Sequence, residues 1–221
     1  MLRRKRVPIL IIAAAILLLA LLAWQFIIVP DTEVPETILR ELFDSEGSWI
    51  VGQDATAAGR IANGVYEMTI DQSWDIFWVT SGHNFADGIY EVEAKHESGI
   101  VDNGFVMLFR VDVEQQRFYM FKVSSDGYVF IGRCNEGCSE VNSLVATDWF
   151  SSSAINQGEE ATNVLRVIAS GSEMSFFVNG EEVGQASDEV LTQGDIGLMA
   201  ETFAPGGLQV AFDNFSVTPL E

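Results

Sequence analysis

The chain has 221 residues, of which 48% are hydrophobic, and its formal net charge at pH 7 is −20. A chain of this length and apolar content can build one substantial core, and all-β sandwiches of this size are commonly a single domain. The acidic balance argues against nucleic-acid binding, because neutralising phosphates requires an excess of Lys and Arg.

An uncharged apolar run covers residues 7–29 and directly follows four basic residues at positions 3–6. As a helix this run would span about 35 Å, enough to cross a hydrocarbon core of about 30 Å. The alternative is a cleaved signal peptide, whose apolar region is shorter and ends at a small-x-small site. Here Leu21 would occupy a position that prefers a small side chain. We therefore expect a signal anchor that inserts into the lipid bilayer.

The basic cluster places the N-terminus in the cytoplasm by the positive-inside rule. Beyond residue 30 the chain keeps eight basic and all 32 acidic residues, a net charge of −24. Two prolines and three acids make residues 30–37 typical of an extended linker. We predict a single-pass plasma-membrane protein with a cytoplasmic stub at 1–6, a transmembrane helix at 7–29, a linker at 30–37 and an extracytoplasmic domain at 38–221.

Alternating apolar and polar residues between turn signals predict that this domain is all-β. The strongest turn signal is Asn179-Gly180, because both central residues of a type I′ turn need positive φ. The number and spacing of the predicted strands favour a sandwich of two antiparallel sheets. The predicted strands are Leu39–Phe43, Gly64–Ile70, Ile76–Thr80, Gly88–His96, Phe105–Val111, Arg117–Ser124, Tyr128–Arg133, Val164–Ser170, Met174–Val178, Gly194–Ala200 and Leu208–Val217.

Several short motifs carry a resemblance to a known kind of β-sandwich. They are Asn163-x-Leu165-Arg166-Val167, Gly171, Phe176-Phe177-Val178-Asn179-Gly180, Gly194-x-Ile196-Gly197-Leu198 and Phe212-Asp213-Asn214-Phe215, with Phe43-Asp44 and Trp49 at the domain start. Over residues 38–219 the chain resembles the concanavalin A-like lectin/glucanase superfamily. It is most similar there to the jelly-roll domains grouped with 3-keto-disaccharide hydrolases and laminin-G-like modules. The resemblance implies a twisted jelly roll whose concave face often binds glycans.

The resemblance also implies a structural calcium ion. In similar sandwiches the first and last strands meet, and carboxylates there bind calcium together with backbone carbonyls. Asp44 and Asp213 fall at matching places, and calcium takes six to eight oxygen ligands. The alternative is that both are ordinary turn or cap residues.

Cys134 and Cys138 enclose three residues at the expected tip of a β-hairpin. Outside the cytoplasm such a pair is expected to be oxidised to a disulfide. Two thiols are too few ligands for a closed zinc site. The loop is short, so the bridge should shape it more than it stabilises the domain.

Glycoside hydrolysis ordinarily needs two carboxyl groups on either side of the scissile bond. The E-x-D-x-x-E motif of laminarinase-type relatives is absent from this chain. Glu91, Glu93 and Lys95 come nearest on one face of a predicted strand, but the apolar residues opposite indicate an ordinary solvated face. We predict no catalytic residue, and the question of enzymatic activity stays open with a leaning against it.

Strand parity indicates the best candidate binding surface. Arg110, Lys122 and Arg133 lie at polar-bearing positions of three successive predicted strands. If those strands are neighbours, the three cations converge on one sheet face. Aromatic residues of the opposite parity on these strands are expected to fill the core, namely Tyr119, Phe121, Tyr128 and Phe130.

Three tryptophans, Trp74, Trp78 and Trp149, could stack on a sugar ring or a partner. The alternative is that the cations pair with Glu91 and Glu93 and that the tryptophans belong to the core or its rim. We predict a membrane-anchored binding module, above all for carbohydrate. A glycoside or keto-disaccharide hydrolase is favoured only if two carboxylates meet in a groove at the separation that glycosidases use. A protein–protein adhesion domain is favoured if the groove is blocked and an apolar patch is exposed.

Overall fold

The structure is a computed structural model that describes residues 38–45 and 47–220. The cytoplasmic stub, the transmembrane helix and the linker predicted over residues 1–37 lie outside the described residues. Within the described part of the chain, no helix has the length and apolar character needed to cross a membrane.

Two antiparallel sheets form a β-sandwich, as the alternation predicts. The described residues contain sixteen strands. They are β1 Leu39–Glu41, β2 Gly52–Gln53, β3 Ala57–Ala62, β4 Val65–Ile70, β5 Ile76–Thr80, β6 Gly88–Ser98, β7 Gly104–Asp112, β8 Arg117–Ser124, β9 Tyr128–Asn135, β10 Glu140–Ser143, β11 Phe150–Ser151, β12 Thr162–Ser170, β13 Glu173–Val178, β14 Glu181–Ser187, β15 Asp195–Glu201 and β16 Leu208–Thr218.

All the predicted strands are present, and five further strands were not predicted. β3 is rich in Ala and Gly, which have low β propensity, and β14 lies at a sheet edge without a buried face. The other three, β2, β10 and β11, have two to four residues each. Such short edge segments carry no measurable period, so their pairing depends on the neighbouring strand.

The larger sheet, sheet A, has the strand order β14-β13-β12-β6-β16-β4-β3-β2, with β1 paired to β16. The other, sheet B, has the order β10-β9-β8-β7-β15-β5, with β11 paired to β9. The β13–β14 hairpin turns at Asn179 and Gly180, whose φ angles of 51° and 83° confirm the predicted turn with positive φ at both residues.

The main core lies between the two sheets and contains buried residues from Phe43 to Val217. Its buried residues come from both sheets of the sandwich. A 38–221 fragment, which contains these residues, is therefore the unit for solution experiments. A second apolar cluster covers the other face of sheet B, directed away from the core. We call this surface the outer face of sheet B.

Buried tyrosines are expected to make the domain less stable at alkaline pH. Burial raises the pKa of Tyr90 to about 12, and burial together with the Asp188 carboxylate raises the pKa of Tyr119 to about 12. The folded-state pKa of these tyrosines lies above their unfolded value of about 10. They therefore stabilise the fold below pH 10, and this stabilisation is lost as the pH rises through about 12. We expect the free energy of unfolding to fall over this range by about 2–3 kcal/mol per tyrosine.

Urea unfolding between pH 8 and pH 12 measures this effect, and Tyr90→Phe should remove part of the fall. A stability that does not change between pH 10 and pH 12 would contradict the expectation. A fall of the same size in the Tyr90→Phe variant would exclude this residue as a source.

Candidate functional site

The outer face of sheet B holds the strongest candidate site. Alternate side chains of β8 point to opposite sides, so Tyr119 and Phe121 enter the core while Phe118 and Met120 join the outer cluster. The next outward position on β8 is Lys122, which lies opposite Phe130 on β9. The apolar side chains of this outer cluster are themselves buried, each 8% exposed or less.

A buried ion pair lies at the centre of this face. Nζ of Lys122 lies 2.7 Å from Oε2 of Glu201, and the two side chains are 12% and 8% exposed. The same ammonium lies 5.4 Å from the ring centroid of Phe130, within cation–π distance. A Cβ at Gly104 would approach Oε1 of Glu201 to 2.6 Å. Glycine at this position therefore leaves the space that the carboxylate occupies.

A cavity of about 320 Å³ with a mixed lining opens at one end of the outer face. Three polar and three aromatic residues line it, namely Asp102, Ser124, Asp126, Tyr128, Trp149 and Phe203, and we call it the polar cavity after its two carboxylates. It forms where β7 and β9 begin and β8 and β15 end, so loops supply most of its side chains. Hydrogen bonds hold three of these residues. The backbone N–H of Phe203 donates to Oδ1 of Asn103 at 2.9 Å, and Oγ of Ser124 donates to Asp126.

Aromatic rings form a continuous group beside the polar cavity. The ring centroids of Trp149 and Phe203 are 6.4 Å apart, and those of Trp149 and Phe130 are 5.7 Å apart. Trp74 contacts the other side of Phe203 at 5.9 Å. Pairs at these distances stabilise each other's orientation, so the rings form a platform that is partly ordered before any ligand binds.

An apolar cavity of about 240 Å³ lies next to the ion pair on the same face. Phe118, Met120 and Met199 are buried and form its floor, while Ile76 and Val141 are partly exposed at its rim. The rest of the lining comes from Trp78, Gln116, Lys122, Gly137 and Cys138.

The disulfide loop forms part of the wall of the apolar cavity. Cys134 and Cys138 are bonded to each other, with Cα atoms 4.7 Å apart, which confirms the predicted disulfide. Gly137 and Cys138 both line the cavity. The bridge thus closes a loop that lines the site. That it shapes this loop more than it stabilises the domain stays a prediction.

Arg110 does not lie on the outer face, contrary to the parity argument. The pairing of β7 with β8 shifts between Phe109 and Asp112, and Arg110 has a φ of 49°. This β-bulge changes the side to which the following residues point, so Val111 joins the outer cluster instead. Arg110 is fully buried.

Hydrogen bonds satisfy the buried guanidinium at the end of the sandwich. Nη1 donates to the carbonyl oxygens of Gly171 at 2.8 Å and Leu191 at 3.1 Å, and Nε donates to that of Ala86 at 3.3 Å. Nη2 lies 3.0 Å from Oδ1 of Asp87. Arg110 therefore contacts three connections between strands, those that contain Ala86, Gly171 and Leu191.

Arg133 also lies on the core-facing side of sheet B, so it does not share a surface with Lys122. It pairs across strands with Tyr119, whose side chain enters the core, whereas Lys122 pairs with the outward Phe130. Arg133 forms an ion pair with Asp188. The expectation that Arg110, Lys122 and Arg133 converge on one face is wrong, and none of them pairs with Glu91 or Glu93. A role of each residue in binding stays a prediction.

Asp188 connects Arg133 to the core. Burial alone would raise its pKa, but hydrogen bonds from Tyr119, the backbone N–H of Val190 and Arg133 outweigh it and lower the pKa below its usual value. The carboxylate therefore stays charged and fixes the end of β14 against β8 and β9.

Two of the three predicted tryptophans line the cavities. Trp149 lines the polar cavity and Trp78 the apolar cavity. Trp74 is 73% exposed and lines neither of the two. The parity expectation fails for two aromatic residues of β9, because Phe130 faces the outer cluster and Tyr128 is half-exposed at the polar cavity.

The first and last strands meet as the calcium hypothesis requires. Leu39 to Glu41 pair with Val217 to Phe215. Oδ1 of Asp213 accepts a hydrogen bond from the backbone N–H of Asn214. Across residues 38–45 and 47–220, however, no group of three or more His, Cys, Asp or Glu side chains is placed to hold a metal ion. The calcium site at Asp44 and Asp213, which would include backbone carbonyls, stays a prediction.

Several residues of the candidate site were not predicted. Asp102, Asp126 and Phe203 lie in connections between strands, where no period relates a side chain to a face. Glu201 ends β15 and could have been placed on the outer face from the alternation of that strand. Asp126 precedes Gly127 in the connection between β8 and β9, and this sequence is explained by a turn without any role in a site.

Comparison with known proteins gives results for the fold alone. No family model matches the chain, and no curated protein sequence matches it. Solved structures do match. The carbohydrate-binding module CBM66 from Bacillus subtilis is 15% identical with a TM-score of 0.62, over 78% of this chain and 96% of that one.

Two enzymes give similar agreement. A β-glucanase from Bacillus licheniformis is 10% identical with a TM-score of 0.60, over 82% of this chain and 98% of its own. The laminarinase catalytic domain of Thermotoga maritima is 12% identical with a TM-score of 0.58. The match covers 85% of this chain and 99% of the laminarinase domain. The fold is that of the concanavalin A-like lectins and glucanases. The finer resemblance to 3-keto-disaccharide hydrolase-like and laminin-G-like domains stays a prediction.

Proposed function

We propose that the domain binds carbohydrate in the polar cavity on the outer face of sheet B. The observation that carries this proposal is the presence of aromatic rings and carboxylates in one open cavity, with Trp149 and Phe203 beside Asp102 and Asp126. A sugar presents hydroxyl donors around its edge and C–H groups on its faces. Carboxylate oxygens accept strong hydrogen bonds from the hydroxyls, and aromatic rings pack against the apolar faces.

The similar structures indicate which carbohydrates to try first. They include a carbohydrate-binding module and enzymes named as a β-glucanase and a laminarinase. Neutral β-glucans also suit the charge of this domain, because a polymer of acidic sugars would be repelled by a net charge of −24 on the chain beyond residue 30. A neutral β-glucan is the first candidate ligand.

The main experiment compares glycan binding by the 38–221 fragment and its Trp149→Ala variant on an array that contains β-1,3- and mixed-linkage β-glucans. Truncating a tryptophan at the centre of a binding site typically costs about 2 kcal/mol, so we expect affinity to fall about 30-fold.

Trp74→Ala is the matched control, because Trp74 also packs against Phe203 but lies outside the cavity. It should reduce affinity only a few-fold. Absence of glycan binding by the wild-type fragment, with and without calcium, would remove the proposal. The calcium arm also tests the predicted ion site at Asp44 and Asp213, since a calcium-dependent melting temperature that Asp213→Asn abolishes would support it.

We propose further that residues 7–29 anchor the domain in the plasma membrane, with the N-terminus in the cytoplasm and residues 38–221 outside. The support is the uncharged apolar run with basic residues before it. A disulfide agrees with an oxidising compartment. The full chain should resist alkaline extraction from membranes, and its domain should be digested by protease added to intact cells. Release by alkali would contradict the anchor.

A glycoside hydrolase is the second candidate function, because Asp102 and Asp126 line one cavity. Glycoside hydrolysis ordinarily requires two carboxyl groups. Release of reducing ends from laminarin that is lost in both Asp102→Asn and Asp126→Asn would favour the hydrolase. Binding without any release would favour the module. The adhesion hypothesis, which a blocked groove and an exposed apolar patch would favour, stays a prediction.

A further inference from the structure

The polar and apolar cavities belong to one continuous surface. Outward side chains of β8 line both of them in sequence, with Phe118, Met120 and Lys122 at the apolar cavity and Ser124 at the polar cavity. Successive outward positions on a strand are about 7 Å apart. A single small ligand can therefore contact both cavities at once.

The chemistry of the apolar cavity does not suit a sugar. Its floor consists of buried Phe118, Met120 and Met199. Lys122 is the one charged group of the lining, and Glu201 already neutralises it. Gln116 is the one uncharged polar side chain of the lining. A hydroxyl group placed on the floor, away from Gln116, would lose its water without gaining a partner, which is costly. An alkyl or aryl group would instead gain from burial.

The size of the apolar cavity suits a short chain or a ring. An apolar cavity of about 150 Å³ in another protein holds benzene, and this one measures about 240 Å³. Flexible methionines in the floor adapt to irregular apolar groups. Ile76 and Val141 at the rim leave an entrance for such a group.

We propose that the ligand is an amphiphilic glycoside whose sugar occupies the polar cavity and whose alkyl or aryl group occupies the apolar cavity. This inference rests on the proposed carbohydrate binding and specifies its ligand class. The Lys122–Glu201 pair lies between the two parts, where it presents a neutral polar boundary. The disulfide loop closes the far side of the apolar part through Gly137 and Cys138.

The test titrates the 38–221 fragment with methyl, butyl, hexyl and octyl β-D-glucosides below the concentrations at which they form micelles. Burial of each methylene should tighten binding about two- to fourfold, until the cavity is filled. The variant Ile76→Asn/Val141→Asn should bind methyl glucoside as the wild type does and lose most of the gain with chain length. The control Val113→Asn/Val190→Asn changes two residues of similar exposure elsewhere and should keep the wild-type series.

The outcomes separate this inference from the proposed function. A wild-type affinity that does not change with chain length, while Trp149→Ala still abolishes binding of methyl glucoside, overturns the inference alone. An unchanged gain with chain length in Ile76→Asn/Val141→Asn also overturns it, because the chains would then bind elsewhere. Failure of every glucoside to bind, together with an empty glycan array, overturns both.

Discussion

Replacing Arg110 with Met is expected to lower the free energy of unfolding by about 3–5 kcal/mol. The side chain is fully buried, and its guanidinium donates to the carbonyl oxygens of Ala86, Gly171 and Leu191. Methionine would fill similar space but leave these carbonyls without donors in the interior. Each buried group that loses its partner costs about 1–3 kcal/mol.

Urea unfolding of the 38–221 fragment at pH 7 measures this loss. Arg166→Met is the matched control, because Arg166 pairs with Glu91 on the surface and is about half exposed. Its removal should change stability by less than about 1 kcal/mol. Equal losses of unfolding free energy in Arg110→Met and Arg166→Met would mean that burial does not determine how much Arg110 stabilises the fold.

Breaking the Lys122–Glu201 pair is expected to have an effect of similar size. In Lys122→Met the Glu201 carboxylate, which is 8% exposed, would stay buried without its cation. Removing one partner of a buried pair costs about 3–5 kcal/mol, whereas replacing both is often close to neutral. The double variant Lys122→Met/Glu201→Gln should therefore recover most of the stability that Lys122→Met loses.

A double-mutant cycle by urea unfolding measures the coupling between the two residues. The exposed pair of Arg60 and Glu67 provides the control cycle, where little coupling is expected. If the two changes at Lys122 and Glu201 were simply additive, the pair would not be a buried electrostatic unit. In that case the outer face would tolerate an unpaired charge.

Most of the strands could be predicted because the residues of each strand and of its turns carry the pattern that specifies it. The β12–β13 hairpin follows from alternation, and the turn after β13 follows from Asn179-Gly180. β3 and β14 could not be predicted, since the first is rich in small residues and the second is a polar edge strand. Both exist because a neighbouring strand offers unpaired backbone groups, which is a tertiary cause.

The candidate site was less accessible to prediction for two reasons. Parity assigned Arg110 to the outer face, but a β-bulge moved it into the interior, and nothing in the residues of β7 marks the bulge. Parity also assumed one buried face for sheet B, so Phe130 was expected in the core although both faces are apolar. The loop residues Asp102 and Phe203 could be brought together only by the folded chain.

The central claim is that carbohydrate binds on the outer face of sheet B, and tryptophan indole signals in an NMR titration test it most directly. The 38–221 fragment contains Trp49, Trp74, Trp78 and Trp149. Trp49 is buried in the main core and reports general effects, whereas Trp149 lines the polar cavity. Titration with a laminari-oligosaccharide should shift the Trp149 signal in a saturable way and leave Trp49 unchanged. Saturable shifts confined to residues of sheet A, with Trp149 unmoved, would contradict the claim.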